Sequence, residues 1–132
     1  MTRKTYRLTT TARAQLEKAV RETKQTWGMD QARKYSAAFL EGLQHLAENH
    51  RQFNAPHRKA LAEGTAFSVS LIEHRYVAFR EVDKETIVVA GIFHESMDIP
   101  ARLRELQGLT LHEIDILKRE IVRASGRKHK MN

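Results

Sequence analysis

The sequence contains no cysteine, only two prolines and only six glycines among its 132 residues. Without cysteine the chain forms no disulfide, thiolate nucleophile or thiolate metal site, and we expect a cytoplasmic protein. The glycines are scattered, which excludes a glycine-rich phosphate loop or a dinucleotide-binding fingerprint. The N-terminus lacks an apolar segment typical of a signal peptide, and no apolar run has the length of a membrane span. We therefore expect one soluble domain without membrane contact.

Positive charge is what the sequence has in excess. Lysine and arginine total 23 against 16 acidic residues, which gives a net charge of +7 and a pI near 10.0. Such a chain is attracted to anions such as nucleic acid, an acidic protein or a complex that already holds nucleic acid. Composition does not choose among these partners.

The histidines do not form a recognisable metal motif. Their spacing matches neither HExxH nor another ligand pattern typical of a metal site, and no nucleophile elbow is present. We therefore predict no metal and no cofactor. The seven histidines are His45, His50, His57, His74, His94, His112 and His129.

The first half of the sequence predicts a strand followed by a helical hairpin. Residues 4–9 alternate weakly, and the threonines at 9–11 can cap a helix that ends at Trp27-Gly28. Asp30 is predicted to cap a second helix that runs to about Asn49. The short connection implies antiparallel helices, and residues 49–64 are predicted to be a polar loop. Aromatic residues at helical spacing are usually core residues, and Trp27, Tyr35 and Phe39 are therefore predicted to be buried.

The second half predicts three antiparallel strands and two helices. The strands are Thr65–His74, Tyr76–Val82 and Ile87–His94, joined by connections so short that they must form a meander. The apolar run that ends at Phe93 is typical of a strand covered on both faces.

After the meander, a helix capped by Asp98 is predicted to end before Gly108. A capping box formed by Thr110 and Glu113 then predicts a last helix over about 110–125. The tail 126–132 is basic and predicted to be disordered. Residues 1–125 are thus predicted to form a single domain.

One group of residues has the chemistry of a metal-free ribonuclease, which needs a base, an acid and a cation for the phosphorane. Arg80, His94 and His74 lie on adjacent predicted strands and are the candidates. The alternative interpretation is that His94 is a hydrogen-bonded residue at a strand end and that Arg80 pairs with a carboxylate.

Several of these motifs together resemble the ParE branch of the RelE/ParE toxin superfamily. The resemblance covers about Tyr6 to Leu106, and its most specific part is the strand and helix start that follow Phe79-Arg80 in the chain. The motifs are Trp27-Gly28, Gln31-Ala32, Tyr35, Phe79-Arg80, Ile92-Phe93-His94 and Met97-Asp98-Ile99-Pro100-Ala101-Arg102-Leu103.

The resemblance implies an α+β fold, in which a strand and an antiparallel helical hairpin pack on a β-meander followed by C-terminal helices. It also implies a toxin of a type II toxin–antitoxin system that is bound and neutralised by an antitoxin. ParE-like toxins act on DNA gyrase, which links them to growth inhibition and plasmid or genome stabilisation. RelE-like relatives instead cleave mRNA on the ribosome.

Two departures from the superfamily pattern bear on these alternatives. Glu95 follows His94, and no tyrosine follows Tyr76, which counts against mRNA cleavage and favours a non-enzymatic protein. Where relatives often have Gly-Leu-Arg before the meander, this chain has Gly64-Thr65-Ala66. A ribosome-dependent ribonuclease that uses His94, Arg80 and His74 stays the alternative, and a non-toxic relative that only binds an antitoxin is a second one.

The candidate partner surfaces are basic. We expect contact with gyrase through charged side chains, contact with DNA mainly through gyrase, and an antitoxin at a sheet edge or in a groove. A larger toxin–antitoxin assembly is also a possibility. The candidate residues are His57, Arg58 and Lys59 in the predicted loop and Arg102, Arg104, Lys118, Arg119 and Arg123 in the predicted C-terminal helices.

Overall fold

The computed structural model describes residues 4–50 and 56–130, with side chains described for 4–50 and 58–124. It has the predicted α+β architecture, with helices on both faces of one four-stranded sheet. In chain order the elements are β1 (Thr5–Leu8), α1 (Thr10–Trp27), α2 (Met29–Asn49), α3 (Pro56–Leu61), β2 (Ser68–Ile72), β3 (Arg75–Glu81), β4 (Thr86–His94) and α4 (Ile99–Lys130).

The sheet has the strand order β1-β4-β3-β2. The meander β2-β3-β4 is antiparallel, as predicted, and β1 adds to it in parallel to β4. Strand β4 is therefore central, and every residue in it except His94 is buried. The turn between β2 and β3 consists of Glu73 and His74, both with positive φ (48° and 64°), which is the geometry that suits a two-residue hairpin.

Helices α1 and α2 cover one face of the sheet, which we call the hairpin face. Leu16, Phe39 and Leu43 pack there against Val77 and Val89 of the central strands. The predicted threonine cap is confirmed, because the Thr9 hydroxyl accepts a hydrogen bond from the Ala12 N–H at 3.0 Å. The same hydroxyl donates to the Ala90 carbonyl at 2.7 Å, which fixes the start of α1 to β4.

The tip of the hairpin differs from its prediction in two ways. Gly28 has a positive φ of 92°, as expected of a residue that ends α1, but it also precedes the first residue of α2. Asp30 therefore lies in the first turn of α2 and is not its N-cap. Trp27 is 73% exposed, so its prediction as core is wrong. Trp27 is the last residue of α1, which is about 27 Å long at its 18 residues, whereas Phe39 packs against the sheet and is fully buried.

Helix α4 and the end of α3 cover the opposite face, which we call the α4 face. Leu103, Leu106 and Ile114 of α4 pack there with Val88 and Phe93 of β4. The approach is close at Gly91, where a Cβ would lie 2.7 Å from Cδ2 of Leu106. Any side chain at this position would therefore push the helix away from the sheet.

The C-terminal region is one helix and not the predicted two. Gly108 lies within α4 without ending it, because packing on both sides of it outweighs a propensity cost of about 1 kcal/mol. The predicted capping box is wrong, since the Thr110 hydroxyl donates to the Leu106 carbonyl of the same helix and Glu113 bonds to Thr10 of α1. The helix continues through Lys130, where the sequence predicts a disordered tail, and residues 131–132 lie outside the described part.

The predicted polar loop over residues 49–64 contains helix α3. Proline at the first helical position is compatible with a helix start because its missing N–H would have no helical partner there. Ala62, which follows α3, is buried among the side chains of the α4 face, with Leu61 packed against the same cluster. The prediction of a polar loop was wrong for this segment because Leu61 and Ala62 pack against the core.

Candidate functional site

His94 lies at the exit of β4 and is held there by its own turn. Its Nδ1 is 2.7 Å from the Ser96 hydroxyl and accepts a hydrogen bond from the Ser96 N–H at 3.1 Å. The Met97 N–H donates to the His94 carbonyl at 3.1 Å. His94 is therefore a hydrogen-bonded residue at the end of a strand, which is the alternative that the sequence offers to a catalytic role.

His74 lies in the two-residue turn between β2 and β3, beside the same end of β4. The Glu95 N–H donates to the His74 carbonyl at 3.3 Å, and its carboxylate lies 3.4 Å from His74 Nδ1. The imidazole is 83% exposed. His74 and Glu95 thus connect the β2–β3 turn to the β4–α4 junction at the protein surface.

Arg80 is not near either histidine. His94 is paired in register with Arg75, whose side chain points to the hairpin face and bonds to Tyr35, whereas Arg80 is paired with Val88 of the α4 face. Arg80 also lies five residues along β3 from Arg75, about 16 Å at ~3.3 Å per residue. The structure therefore places Arg80 and His94 on opposite faces and at distant points of the sheet.

A cation that sequence reasoning missed occupies the place beside His94. Arg75 is only 18% exposed, and its Nε donates to the Tyr35 hydroxyl at 2.9 Å. Its guanidinium also lies 3.9 Å from the Glu22 carboxylate of α1. Arg75 thus joins β3 to both helices of the hairpin. The sequence alone gives no signal for this role, because Arg75 lies next to a predicted turn. The role becomes visible only once Arg75 is known to pair in register with His94.

The C-terminal candidates form a surface on α4. Lys118, Arg119 and Arg123, which we call the cationic stripe, flank Val122 and Asp115 in a shallow depression of about 450 Å³. All three cations are exposed, and Arg119 lies 2.9 Å from the Asp115 carboxylate, one turn earlier. Positions i, i+3, i+4, i+7 and i+8 share one helix face, so these side chains present a single basic surface.

The two remaining C-terminal candidates lie nearer the start of α4. Arg102 is half-buried and pairs with Glu105 at 3.1 Å, whereas Arg104 is exposed. Surface ion pairs of this kind contribute little to stability. Arg104 is thus free to extend the basic surface of α4 toward its N-terminus, while Arg102 is partly neutralised.

The basic residues of the predicted loop separate in the structure. Lys59 is exposed on α3, while Arg58 is half-buried and lines a groove between α2, α3 and β2. The side chain of His57 lies outside the described part. Arg58 and Lys59 therefore do not form one exposed patch.

Among the described residues, no group of three or more histidine, aspartate or glutamate side chains is arranged to hold a metal ion. In the same part of the chain, no helix has the length and apolar character needed to cross a bilayer.

Known proteins share this fold and sequence pattern. Residues 6–99 match the family described as the ParE toxin of the type II toxin–antitoxin system, parDE. The chain is also 34% identical over 101 residues to Toxin ParE of Escherichia coli, an alignment that covers 76% of this chain and 93% of that protein.

The fold itself matches a solved structure, a chain of the chromosomal ParDE TA system from P. aeruginosa. The TM-score is 0.57 at 18% sequence identity, and the match covers 69% of this chain and 95% of that chain. The family match ends at residue 99, the first residue of α4, so nearly all of this helix lies beyond it. Because the match spans the whole sheet and the helical hairpin, the chain belongs to the ParE toxin family of type II toxin–antitoxin systems.

Proposed function

We propose that this protein is a non-enzymatic toxin that inhibits DNA gyrase in the cytoplasm and is neutralised by binding its antitoxin. The observation that carries the proposal is the family match over β1 to β4. The separation of Arg80 from His94 and His74 agrees with it, because the residues proposed for phosphodiester cleavage do not converge.

The cationic stripe is the surface proposed to contact gyrase. Its side chains lie on a rigid helix, and a gyrase–DNA complex is strongly anionic, so complementary charge speeds encounter and orients the two partners. Contact with DNA itself is proposed to be mainly indirect, through the enzyme that holds it. Arg104 lies on the same helix and extends this surface.

A supercoiling assay with purified gyrase and relaxed plasmid tests the proposal. We expect the free protein to block supercoiling and its complex with the antitoxin to leave supercoiling intact. Supercoiling that continues at a large molar excess of free protein would overturn the gyrase assignment.

The chain offers a matched control for the cationic stripe. The triple variant Lys118→Ala, Arg119→Ala, Arg123→Ala removes three exposed cations, one of them in an i,i+4 ion pair. The triple variant Lys18→Ala, Arg21→Ala, Lys24→Ala removes the same charge from α1 and also breaks one i,i+4 pair, with Glu22. We expect only the first to need about tenfold more protein for half inhibition, an effect that weakens as salt is raised.

Ribosome-dependent cleavage of mRNA is the alternative function, and expression of the protein in cells tests it. Sequencing of mRNA 5′ ends after induction would show new ends within codons if the protein were a ribonuclease, and His94→Ala would abolish them. We expect neither, because the His94 Nδ1 is engaged by Ser96 and no cation from β3 other than Arg75 lies beside it.

A further inference from the structure

A groove opens where the hairpin, α3 and the edge of the sheet meet. It encloses about 420 Å³. Its floor is small and apolar, because Gly42 lets α2 approach β2 so closely that a Cβ there would lie 2.6 Å from Cγ2 of Ile72. The lining residues are Ala38, Gly42, His45 and Leu46 of α2, Arg58 of α3, and Ser70, Leu71, Ile72 and Glu73 of β2 and its turn.

Arg58 is the unusual member of this lining. Its Nε is buried and makes no hydrogen bond within the described part of the chain. A buried donor without a partner loses its hydration without replacement, which destabilises the free protein. A buried polar group in a native protein normally has a partner, so Arg58 is a candidate for contact with a bound molecule.

The other ionisable groups in the groove do not satisfy Arg58. Glu73 lies at the turn end of β2 and is exposed, and His45 on α2 is exposed, with its Nδ1 3.3 Å from Nδ2 of Asn49. A guanidinium matches a carboxylate through two parallel hydrogen bonds, so a carboxylate supplied by a partner protein would satisfy the buried Nε.

The position of the groove defines the shape of what enters it. Strand β2 is the edge of the sheet, and alternate residues of an edge strand turn their N–H and C=O groups away from the sheet. Leu71 of β2 is also exposed beside Arg58. An extended peptide can therefore lie along β2 and place one side chain into the groove.

We propose that the groove receives an acidic side chain from an extended segment of the antitoxin, whose carboxylate pairs with Arg58. This inference rests on the proposed neutralisation by an antitoxin. It is favoured by charge, since a partner of a +7 protein gains from acidic residues.

The variant Arg58→Met tests the proposal, with Lys59→Met as the matched control on the same helix. Methionine keeps the apolar stem and removes the unpaired donor, so we expect Arg58→Met to melt at the same or a higher temperature than the wild-type protein. At the same time we expect it to bind its cognate antitoxin about 30-fold more weakly in calorimetry, because truncating one side of a buried charge pair is costly. Lys59→Met should change neither quantity, since Lys59 is exposed.

Three results would overturn the inference, and they are distinct from a failure of the proposed function. Unchanged antitoxin affinity in Arg58→Met would remove Arg58 from the interface. Weaker binding that comes with a lower melting temperature and is matched by Lys59→Met would show a loss of structure or a general charge effect. Unchanged antitoxin affinity with lost gyrase inhibition would assign the groove to the target instead. If the wild-type protein did not bind the antitoxin at all, the proposed function itself would fail.

Discussion

The two faces of the sheet are covered by parts of the chain that differ in their relation to the family match. The hairpin face is covered by α1 and α2, which belong to the region that matches the ParE family, whereas α4 lies almost wholly beyond that region. Both faces nevertheless have fully buried side chains, such as Leu43 on one and Leu103 on the other. The comparison shows that a segment outside the family pattern can be as deeply packed as the family's own helices.

The polar contacts that hold the hairpin in place differ from those that hold α4. The hairpin is held to the sheet by buried polar contacts, such as the Thr9 hydroxyl on the Ala90 carbonyl. Beyond its apolar contacts, α4 is held by the exposed Glu113 carboxylate on Thr10 and by a 3.8 Å pair between Glu120 and Arg7. We therefore expect the attachment of α4 to depend mainly on apolar burial, and three pairs of substitutions measure this.

The largest effect is expected from truncating the core of each face. Leu43→Ala and Leu103→Ala each remove a fully buried leucine, and we expect each to lower the free energy of unfolding by about 2–5 kcal/mol. Urea unfolding measures both. A cost below about 1 kcal/mol for Leu103→Ala alone would mean that α4 is loosely attached and that the two faces are not equivalent.

Adding a methyl group tests how closely each cover approaches the sheet. In Gly91→Ala the new Cβ would meet Leu106 at 2.7 and 2.9 Å and Phe93 at 3.1 Å, all within a packed core. We expect a net loss of about 1–2 kcal/mol, as overpacking outweighs the gain from replacing a strand glycine. Gly42→Ala meets only half-exposed Ile72 and gains helix propensity of about 1 kcal/mol, so its stability should be nearly unchanged. Thermal unfolding of both variants decides.

The polar attachment of α4 is expected to contribute less. Glu113→Ala removes hydrogen bonds of 2.9 and 3.1 Å to the Thr10 N–H and one of 2.9 Å to its hydroxyl, all at the N-terminus of α1. Loss of such a cap costs about 1 kcal/mol. The control Glu120→Ala breaks only the exposed pair with Arg7 and should cost about 0–1 kcal/mol. Equal losses in urea unfolding would contradict the capping role of Glu113.

The smallest effect is expected at the hairpin tip. Trp27 is the largest residue type in the sequence but is mostly exposed, so Trp27→Ala should change the unfolding free energy by no more than about 0.5 kcal/mol. Phe39→Ala, in the same hairpin but fully buried, is the contrast and should cost about 3–5 kcal/mol. A substantial loss in Trp27→Ala would show that the tip packs against something in solution.

Much of the fold was readable from local signals. The apolar run of β4, the Thr9 cap and the glycine with positive φ at the hairpin tip each depend on a few neighbouring residues. These are features for which local chemistry and global structure agree, and there sequence reasoning succeeds.

The errors occurred where a distant contact overrides a local signal. Thr110 and Glu113 have the spacing of a capping box, but the Glu113 carboxylate is used by Thr10, 103 residues away. Gly108 has the sequence context of a helix end, but packing of α4 on β4 carries the helix through it. No pattern near these residues encodes those contacts.

The candidate site was predictable only as a set of residue types. The sequence identifies Arg80 and His94 as residues with suitable chemistry, but their faces follow from the register of β3 on β4, which a bulge near Ala78 shifts. The groove at Arg58 depends on the meeting of α2, α3 and β2, and the residues of α3 have the sequence pattern of a polar loop.

The pairing of β1 with β4 has a consequence for the time at which the fold can be completed during synthesis. Thr9 can bond to Ala90 only after a further 81 residues have been synthesised. At translation rates of about 5–20 residues per second, this synthesis takes on the order of 4–16 s. During that interval α1 and α2 have been made but the sheet that they cover has not. The apolar stripe of the nascent hairpin is therefore open to chaperones and other chains for seconds, and the sheet that buries it cannot form until β4 has left the ribosome.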